Sequence, residues 1–533
     1  MITVREARED DVEAIRELFL ASYGQAYAYP QYYDTSKLKK MVFADNTMLL
    51  VAEETDSNRL VGTASVVMHV GAYNDLVGEF GRLVVDPTAR NQGIGRKLME
   101  GRLERVRDRL HLGLVENRVV HPYSQQISAS QGFRCVGFLP LKLLTDKREC
   151  VALYVRHFGN ALRLRQNHPR IIPEAHELAE LAMDNLEMEP DAIVDTSSSP
   201  YPHDDRFELQ DFETQGYATL LRLERGRVHN REVFGPLRLH YGLFQIRSRS
   251  SNYLVAREGK RLAGAVGFAL DEAEKTVRVF ELISASDRPI RFLLDNLNRV
   301  CRDELHAEYV EIDVNAHSPR MQRTLLELGY QPAGYVPALT FHQVERLDAV
   351  KMVRLFTPPV FGEVCLAPPS ERIAELVTRQ FAERVVAPRL VEAARGSSLF
   401  AGLNEHQSNR LGAGFTVESY RAGESIYSAG DKADGIHLIL CGELDVLSSV
   451  GQAIATLRAG ASFGECSLLK EANHTASAQA RTDVEVATLP QQQIEILVRR
   501  HPDIAVVLYR NLACDLSCKL DVMNQRAREN TAS

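Results

Sequence analysis

No apolar run in the 533-residue chain approaches the roughly 18–20 residues needed to cross a bilayer. An excess of positive charge is missing too. The formal net charge is −8, which argues against nucleic acid as the main partner, because phosphate backbones need a basic face. The opening residues, MITVREARED, are charged and do not form the apolar core of a secretory signal. Cysteine is sparse: eight positions, mostly inside apolar stretches. Cys514 and Cys518 stand four apart on one predicted helix face, a spacing read as core packing rather than a metal or redox pair. These absences leave a reduced cytoplasmic compartment as the simplest expectation.

What is present is ordinary globular material in quantity. With 45% hydrophobic and 25% charged residues, each domain can bury a core, and the length suggests about three to four domains.

The chain repeats itself. LLVAEETDSNRLVGTASVV (49–67) and YLVAREGKRLAGAVGFAL (253–270) both read as strand, polar turn, strand. GFRCVGFLP (132–140) matches GYQPAGYVP (329–337), and each unit closes on a β-rich segment, VALYVRHF (151–158) and VKMVRLF (350–356). The order is kept, so one fold is expected twice. Between the copies lie a helical stretch at 173–188 and a Ser/Pro/Asp-rich linker at 195–205. An amphipathic segment follows the second copy. From about residue 396 the texture changes to short alternating strands punctuated by glycine, then a long helix predicted to break at Pro502.

The most informative stretch is VVDPTARNQGIGRKLM (84–99). Upstream, GEFGRLVV (78–85) reads as a buried strand; downstream, Ile94, Leu98, Met99, Leu103, Val106 and Leu110 have helical spacing. Gly93 and Gly95 therefore occupy a strand-to-helix turn, where helix N-terminal amides favour an anion and glycine allows close approach. A dinucleotide fingerprint fails because Leu98 stands where the third glycine belongs. A P-loop fails because Gly95 is followed by Arg96-Lys97-Leu98. A strand-turn-helix with chance glycines is the bland alternative.

With its flanking strand end and later Gly-Phe, residues 1–158 resemble the GNAT acyltransferase family. The resemblance implies an α/β (α+β) fold, here duplicated, whose turn at Arg90, Asn91, Gln92, Gly93, Ile94, Gly95 and Arg96 cradles the diphosphate of acetyl-CoA or another acyl-CoA. Backbone groups of Leu83, Val84 and Val85 would pair the pantetheine arm and lie near the thioester carbonyl, where a backbone donor stabilises an oxyanion. Glu79 stands where many members carry a general base. Desolvation by Phe80 would raise its pKa; the alternative is a strand-end carboxylate facing water. The position of the family's acidic tyrosine is Ser128, Tyr123 is a possible substitute, and His121 falls where a hydrogen-bonding Asn is common. In the second copy SASDRPIRFLL (284–294) replaces the glycine turn, Pro289 removes an amide and Leu325 takes the tyrosine position. That copy is expected to have lost CoA binding.

Residues 399–525 resemble a cyclic-nucleotide-binding domain, an all-β jelly roll with flanking helices. The resemblance implies a phosphate-binding cassette at Gly464, Glu465, Cys466 and Ser467, with Glu465 taking the ribose hydroxyl. The family's phosphate arginine is here His474, followed by Thr475. Replacing a charge-assisted bond to a buried anion costs on the order of 1.5–3 kcal/mol. The module is therefore either a working nucleotide sensor or a docking and homodimerisation unit that has lost its ligand. With the long helix ending in NQRARENTAS (524–533), no helix-turn-helix is expected.

The expected organisation is 1–165 acyltransferase, 166–205 extension and linker, 206–358 degenerate copy, 359–395 helical connector, 396–526 cyclic-nucleotide-binding-like, and 527–533 tail. The expected function is acyl transfer from acyl-CoA to an amine, on a small molecule or a protein lysine, without metal, nucleic acid or membrane. The rival is a non-enzymatic ligand-sensing scaffold.

Overall fold

A computed structural model describes the chain except residues 26, 28, 70–75, 146, 205, 212–231, 235–250, 394–396, 404–406, 409–410, 413, 449, 467–471 and 532–533; the side chains of 211, 251, 383–393, 496, 500 and 521–531 also lie outside the description. It divides into two compact units, Met1–Thr378 and Arg379–Ser533.

The first half of the first unit runs β1 (Ile2–Glu6), α1 (Val12–Tyr23), α2 (Thr35–Val42), β2 (Thr47–Glu54), β3 (Arg59–Met68), β4 (Val77–Val85), α3 (Ile94–Val106), β5 (Leu112–Arg118), α4 (Tyr123–Ser130), β6 (Arg134–Leu144) and β7 (Arg148–His157). Local chemistry places the boundaries. Asp34 caps α2 by accepting from the amides of Ser36 and Lys37. Asn91 (φ 63°) and Gly93 (φ 73°) take left-handed conformations that swing the chain into α3. The expected apolar face of that helix is buried; Leu110 is buried too, but beyond its end.

Two short paired strands, β8 (Arg170–Ile171) and β9 (Ile193–Val194), flank α5 (Pro173–Asn185). The second half then contains β10 (Glu208–Asp211), β11 (Val233–Phe234), β12 (Ser251–Glu258), β13 (Arg261–Asp271), β14 (Thr276–Ser284), α6 (Arg288–Asp303), β15 (Tyr309–Asn315), α7 (Pro319–Glu327), β16 (Gln331–His342) and β17 (Glu345–Leu355). All join one 15-stranded sheet in the order β1-β2-β3-β4-β5-β7-β6-β16-β17-β15-β14-β13-β12-β10, with β11 on β15. Read outward from its middle, the order is the same on both sides. The halves meet where antiparallel β6 and β16 pair Gly137 with Gly334, the second glycine of each repeated motif. A Cβ on Gly137 would stand 2.8 Å from both Ala333 O and Gly334 Cα. Leu141 and Ala338, each following the repeated proline, share a positive φ.

Helix α8 (Pro368–Ala393) spans the boundary between the units. In the second unit, two four-stranded sheets form a jelly roll: β18 (Thr416–Tyr420), β25 (Val484–Pro490), β20 (Gly435–Cys441) and β23 (Ser462–Phe463) in one, and β19 (Ser425–Tyr427), β24 (Ser477–Ala480), β21 (Glu443–Leu447) and β22 (Ala453–Arg458) in the other. Ile439, Leu444, Phe463, Ala478 and Val486 pack inside it. Helices α9 (Gln491–Arg500) and α10 (Pro502–Thr531) follow, separated by His501 as the proline requires. Helix α10 continues to Thr531, into the segment expected to be a tail. Its buried face is Ile504, Ala505, Leu508 and Leu512. Cys514 and Cys518 are exposed and free, which corrects the core-packing expectation.

Candidate functional site

Strands β4 and β5 are parallel neighbours only where Val77, Gly78 and Glu79 pair with Leu112, Gly113 and Leu114. Beyond that point β4 stays with β3 and β5 stays with β7, so the edge of β4 facing β5 loses its ladder partner. A bulge sits at the parting: Arg82 and Leu83 together oppose Ala64, and Arg82 has φ 52°. The strand read as buried is buried at Val77, Gly78, Phe80 and Val84, and only half-buried at Glu79 and from Gly81 to Leu83.

From behind, Arg102 of α3 supports the bulge. It is 2% exposed, donates through Nη1 to Ser65 O and Gly81 O at 3.1 Å each, and lies over the Phe80 ring.

The turn after β4 presents exposed residues Arg90, Asn91, Gln92, Gly93 and Arg96 around buried Ile94. Asp86 ties the approach by accepting from the Thr88 amide and hydroxyl. Among the described residues, no protein acceptor takes the amides of residues 90–96. Nothing lies within 4 Å of a Cβ built on Gly93, whereas one on Gly95 would sit 3.0 Å from Ile127. The result is an open, uncapped helix start with two arginines beside it.

Glu79 does not face water as an isolated strand end. Its carboxylate lies 2.9 Å from Arg82 Nη1 and 3.7 Å from His69 Nε2, with 19% of the side chain exposed. The expected desolvation by Phe80 is corrected by the pleat: Phe80 points to the opposite face and packs edge-on against Phe133. The Arg82 side chain is only 7% exposed, and burial by itself would lower its pKa. The charge of Glu79 first, then Tyr32, Tyr29 and Tyr27, more than offset this and hold it well above the ordinary arginine value.

The two expected acid candidates separate. Ser128 is 1% exposed and donates to Asn117 Oδ1 at 3.1 Å, while Tyr123 is 66% exposed beside His121.

Sequence reasoning missed the opposite wall. Tyr23, Tyr27, Tyr29, Tyr32 and Tyr33, from the segment 21–33, gather over the bulge; Arg82 lies 5.5 Å from the Tyr29 ring centroid. Burial pushes the phenol of Tyr23 up, against the opposing charges of Arg118 and Arg90. The tyrosine density was visible in the sequence, but its target was not.

The second half reaches the same wall. Glu274, in the turn between β13 and β14, is 6% exposed although Glu272, Ala273 and Lys275 are exposed. Burial, then Asp271, pushes its carboxyl up to about 7, against Lys142 and a hydrogen bond from Tyr29. Lys142 pairs with Glu116 and, at 3.0 Å, with buried Glu311; Arg278 closes the cluster on Glu311.

At the position matching the glycine turn, α6 starts with Arg288 and Pro289 and no glycine. Leu325, at the position of Ser128, is fully buried.

In the second unit, Gly464 has φ 84° and Glu465 is 3% exposed. Lys519 of α10 donates to Glu465 Oε1 at 2.8 Å and pairs with Asp515 at 2.7 Å. Cys466 and Thr475 are exposed, and Ser467 lies outside the described residues. His474 is 3% exposed and stacks on Tyr427 at 3.7 Å between centroids and 10° between planes. Burial lowers its pKa.

Comparison with known proteins finds two families. The acetyltransferase (GNAT) family model matches residues 12–126 and the cyclic nucleotide-binding domain model matches residues 417–501. The chain is 31% identical over 147 residues to the cyclic AMP receptor protein of Thermus thermophilus, covering 26% of this chain and 68% of that protein. It is 33% identical over 130 residues to glutaminase 1 of Bradyrhizobium diazoefficiens, covering 24% of this chain and only 21% of that protein. Among solved structures, the Escherichia coli ribosomal-protein-S18-alanine N-acetyltransferase is 16% identical over 30% of this chain and 95% of its own, with a TM-score of 0.25. Thermus thermophilus catabolite activator protein is 29% identical over 25% of this chain and 63% of its own, with a TM-score of 0.23. Among the described residues, no helix is long and apolar enough to cross a membrane.

Proposed function

We propose, for a chain that carries a GNAT-family acetyltransferase domain and a cyclic nucleotide-binding domain, that the first half transfers an acyl group, acetyl in the simplest case, from acyl-CoA to an amine. The observation that carries this reading is the uncapped turn at 90–96 beside the parted strands β4 and β5. The amides from Arg90 to Arg96 bind the donor's diphosphate, helped by the charges of Arg90 and Arg96. The free edge at Leu83–Val85 aligns the pantetheine arm and offers an amide to the oxyanion. Glu79, kept in place by Arg82, accepts the ammonium proton.

The acceptor approaches between the tyrosines and the Glu116–Lys142–Glu274 group, so a polar amine is favoured over an apolar one. The second half, lacking the glycine turn, serves as wall rather than as a second catalyst. The C-terminal unit is the regulatory or scaffolding module, and Lys519 already occupies the carboxylate expected to take a ribose.

Calorimetric titration with acetyl-CoA tests the turn. Gly93→Glu combined with Gly95→Glu removes binding while the thermal transition persists; unchanged affinity would overturn the reading. Glu79→Gln keeps donor binding and loses turnover. The position of Ser128, sealed inside, and of Tyr123, turned to water, favours a second reading as a non-enzymatic sensor. Absence of turnover across a panel of amines, with donor binding intact, would select it.

A further inference from the structure

We propose that the C-terminal unit holds a divalent transition-metal ion, zinc by preference, between Asp434, His437 and His474. One ligand atom from each of the three residues lies within 4.8 Å of the others. They come together from separate parts of the jelly roll: Asp434 just before β20, His437 within it, and His474 just before β24. Asp434 Oδ1 stands 3.1 Å from His437 Nε2 and 3.8 Å from His474 Nε2. Tetrahedral zinc with bonds of about 2.0–2.1 Å sets its ligand atoms roughly 3.3 Å apart, so the site closes around an ion by small side-chain shifts.

Burial separates this group from a chance surface cluster. His437 is 2% and His474 3% exposed. His474 Nε2 is sealed from solvent, aims at the cluster and makes no hydrogen bond there. A buried imidazole nitrogen whose nearest acceptor stands 3.8 Å away is poorly satisfied, and a metal between the two would satisfy both.

The supporting residues are those of a held ligand set. His437 Nδ1 lies 2.9 Å from Thr488 Oγ1, which orients the ring and leaves Nε2 toward the cluster. Tyr427 stacks on the His474 ring and Phe463 on the His437 ring, at 3.7 Å and 4.9 Å between centroids. Two imidazoles and one carboxylate suit zinc, cobalt or nickel rather than magnesium or calcium, which prefer all-oxygen shells. The side chain of Asp434 is 63% exposed, so the remaining coordination position opens to water or to an exogenous anion.

The test uses the full-length protein without a histidine tag, stripped by chelator and titrated with cobalt(II) followed in the visible spectrum, then with zinc in competition. One cobalt per chain with tetrahedral bands, displaced by one zinc, is expected. His474→Ala should weaken binding by well over tenfold, and Thr488→Val by about tenfold to a hundredfold. Asp434→Asn, at a mostly exposed side chain, provides a ligand variant that leaves the barrel core untouched and should also weaken binding. No stoichiometric cobalt spectrum, or equal affinity in the wild type and in Asp434→Asn, overturns the site.

Discussion

Glu274 shows how much a single side chain can depend on a distant partner. A turn carboxylate would ordinarily face water, yet this one is buried against Tyr29, more than two hundred residues earlier in the chain, and its carboxyl is pushed up to about 7. Because the folded value exceeds the ordinary carboxylate value of 4.5, the native state retains the proton longer than the unfolded chain. The stabilisation is complete below about pH 4.5 and is lost as pH rises through 7. Wild type should lose up to about 3 kcal/mol relative to Glu274→Gln between pH 5 and 8, read from urea unfolding at both values. At this scale the sequence spoke unevenly. Gly93 and Gly95 were readable because a turn between strand and helix leaves few alternatives. Glu274 was not, since nothing near it in the chain reports its burial.

Among elements, β4 does most to shape the candidate site, and its bulge needs Arg102. That side chain supplies the donors for Ser65 O and Gly81 O where the ladder is interrupted. Arg102→Met keeps the volume near Phe80 but removes the donor from the buried Ser65 carbonyl and the half-buried Gly81 carbonyl, so chemical denaturation should show a loss of about 1–3 kcal/mol. Acetyl-CoA affinity should fall with it, because the edge at Leu83–Val85 is no longer held. The strand itself was legible from its apolar run and the helix after it from its period. The bulge was illegible: Arg82 takes a positive φ that no residue type announces, and Arg102 reads as an ordinary polar helix position. The same limit explains Cys514 and Cys518, whose spacing gave a shared face but not which face of α10 packs.

Taken as a whole molecule, the first unit is one sheet, and its centre is a single glycine pair. Replacing Gly137 by Ala forces a Cβ against backbone atoms at 2.8 Å, whereas the nearest atoms to a Cβ on Gly334 are at 3.5 Å. Gly137→Ala should therefore lose about 1–3 kcal/mol and Gly334→Ala little, a contrast that thermal melts of the two variants measure directly. If both were equally neutral, the seam would not be the tight contact described. The repeated motifs announced two similar halves, because Gly-aromatic pairs and a following proline recur in order. That the halves would share one continuous sheet could not be read from them, since register between β6 and β16 is a tertiary choice.

The mirrored order of that sheet has an electrical outcome. Glu79 is the third residue of β4 and faces Leu114; Arg278 is the third residue of β14 and faces Glu311. Equivalent seats thus carry opposite sign, each answered by its own counter-charge, Arg82 at one and Glu311 at the other, so a scaffold nearly symmetric in backbone is antisymmetric in the order of its charges.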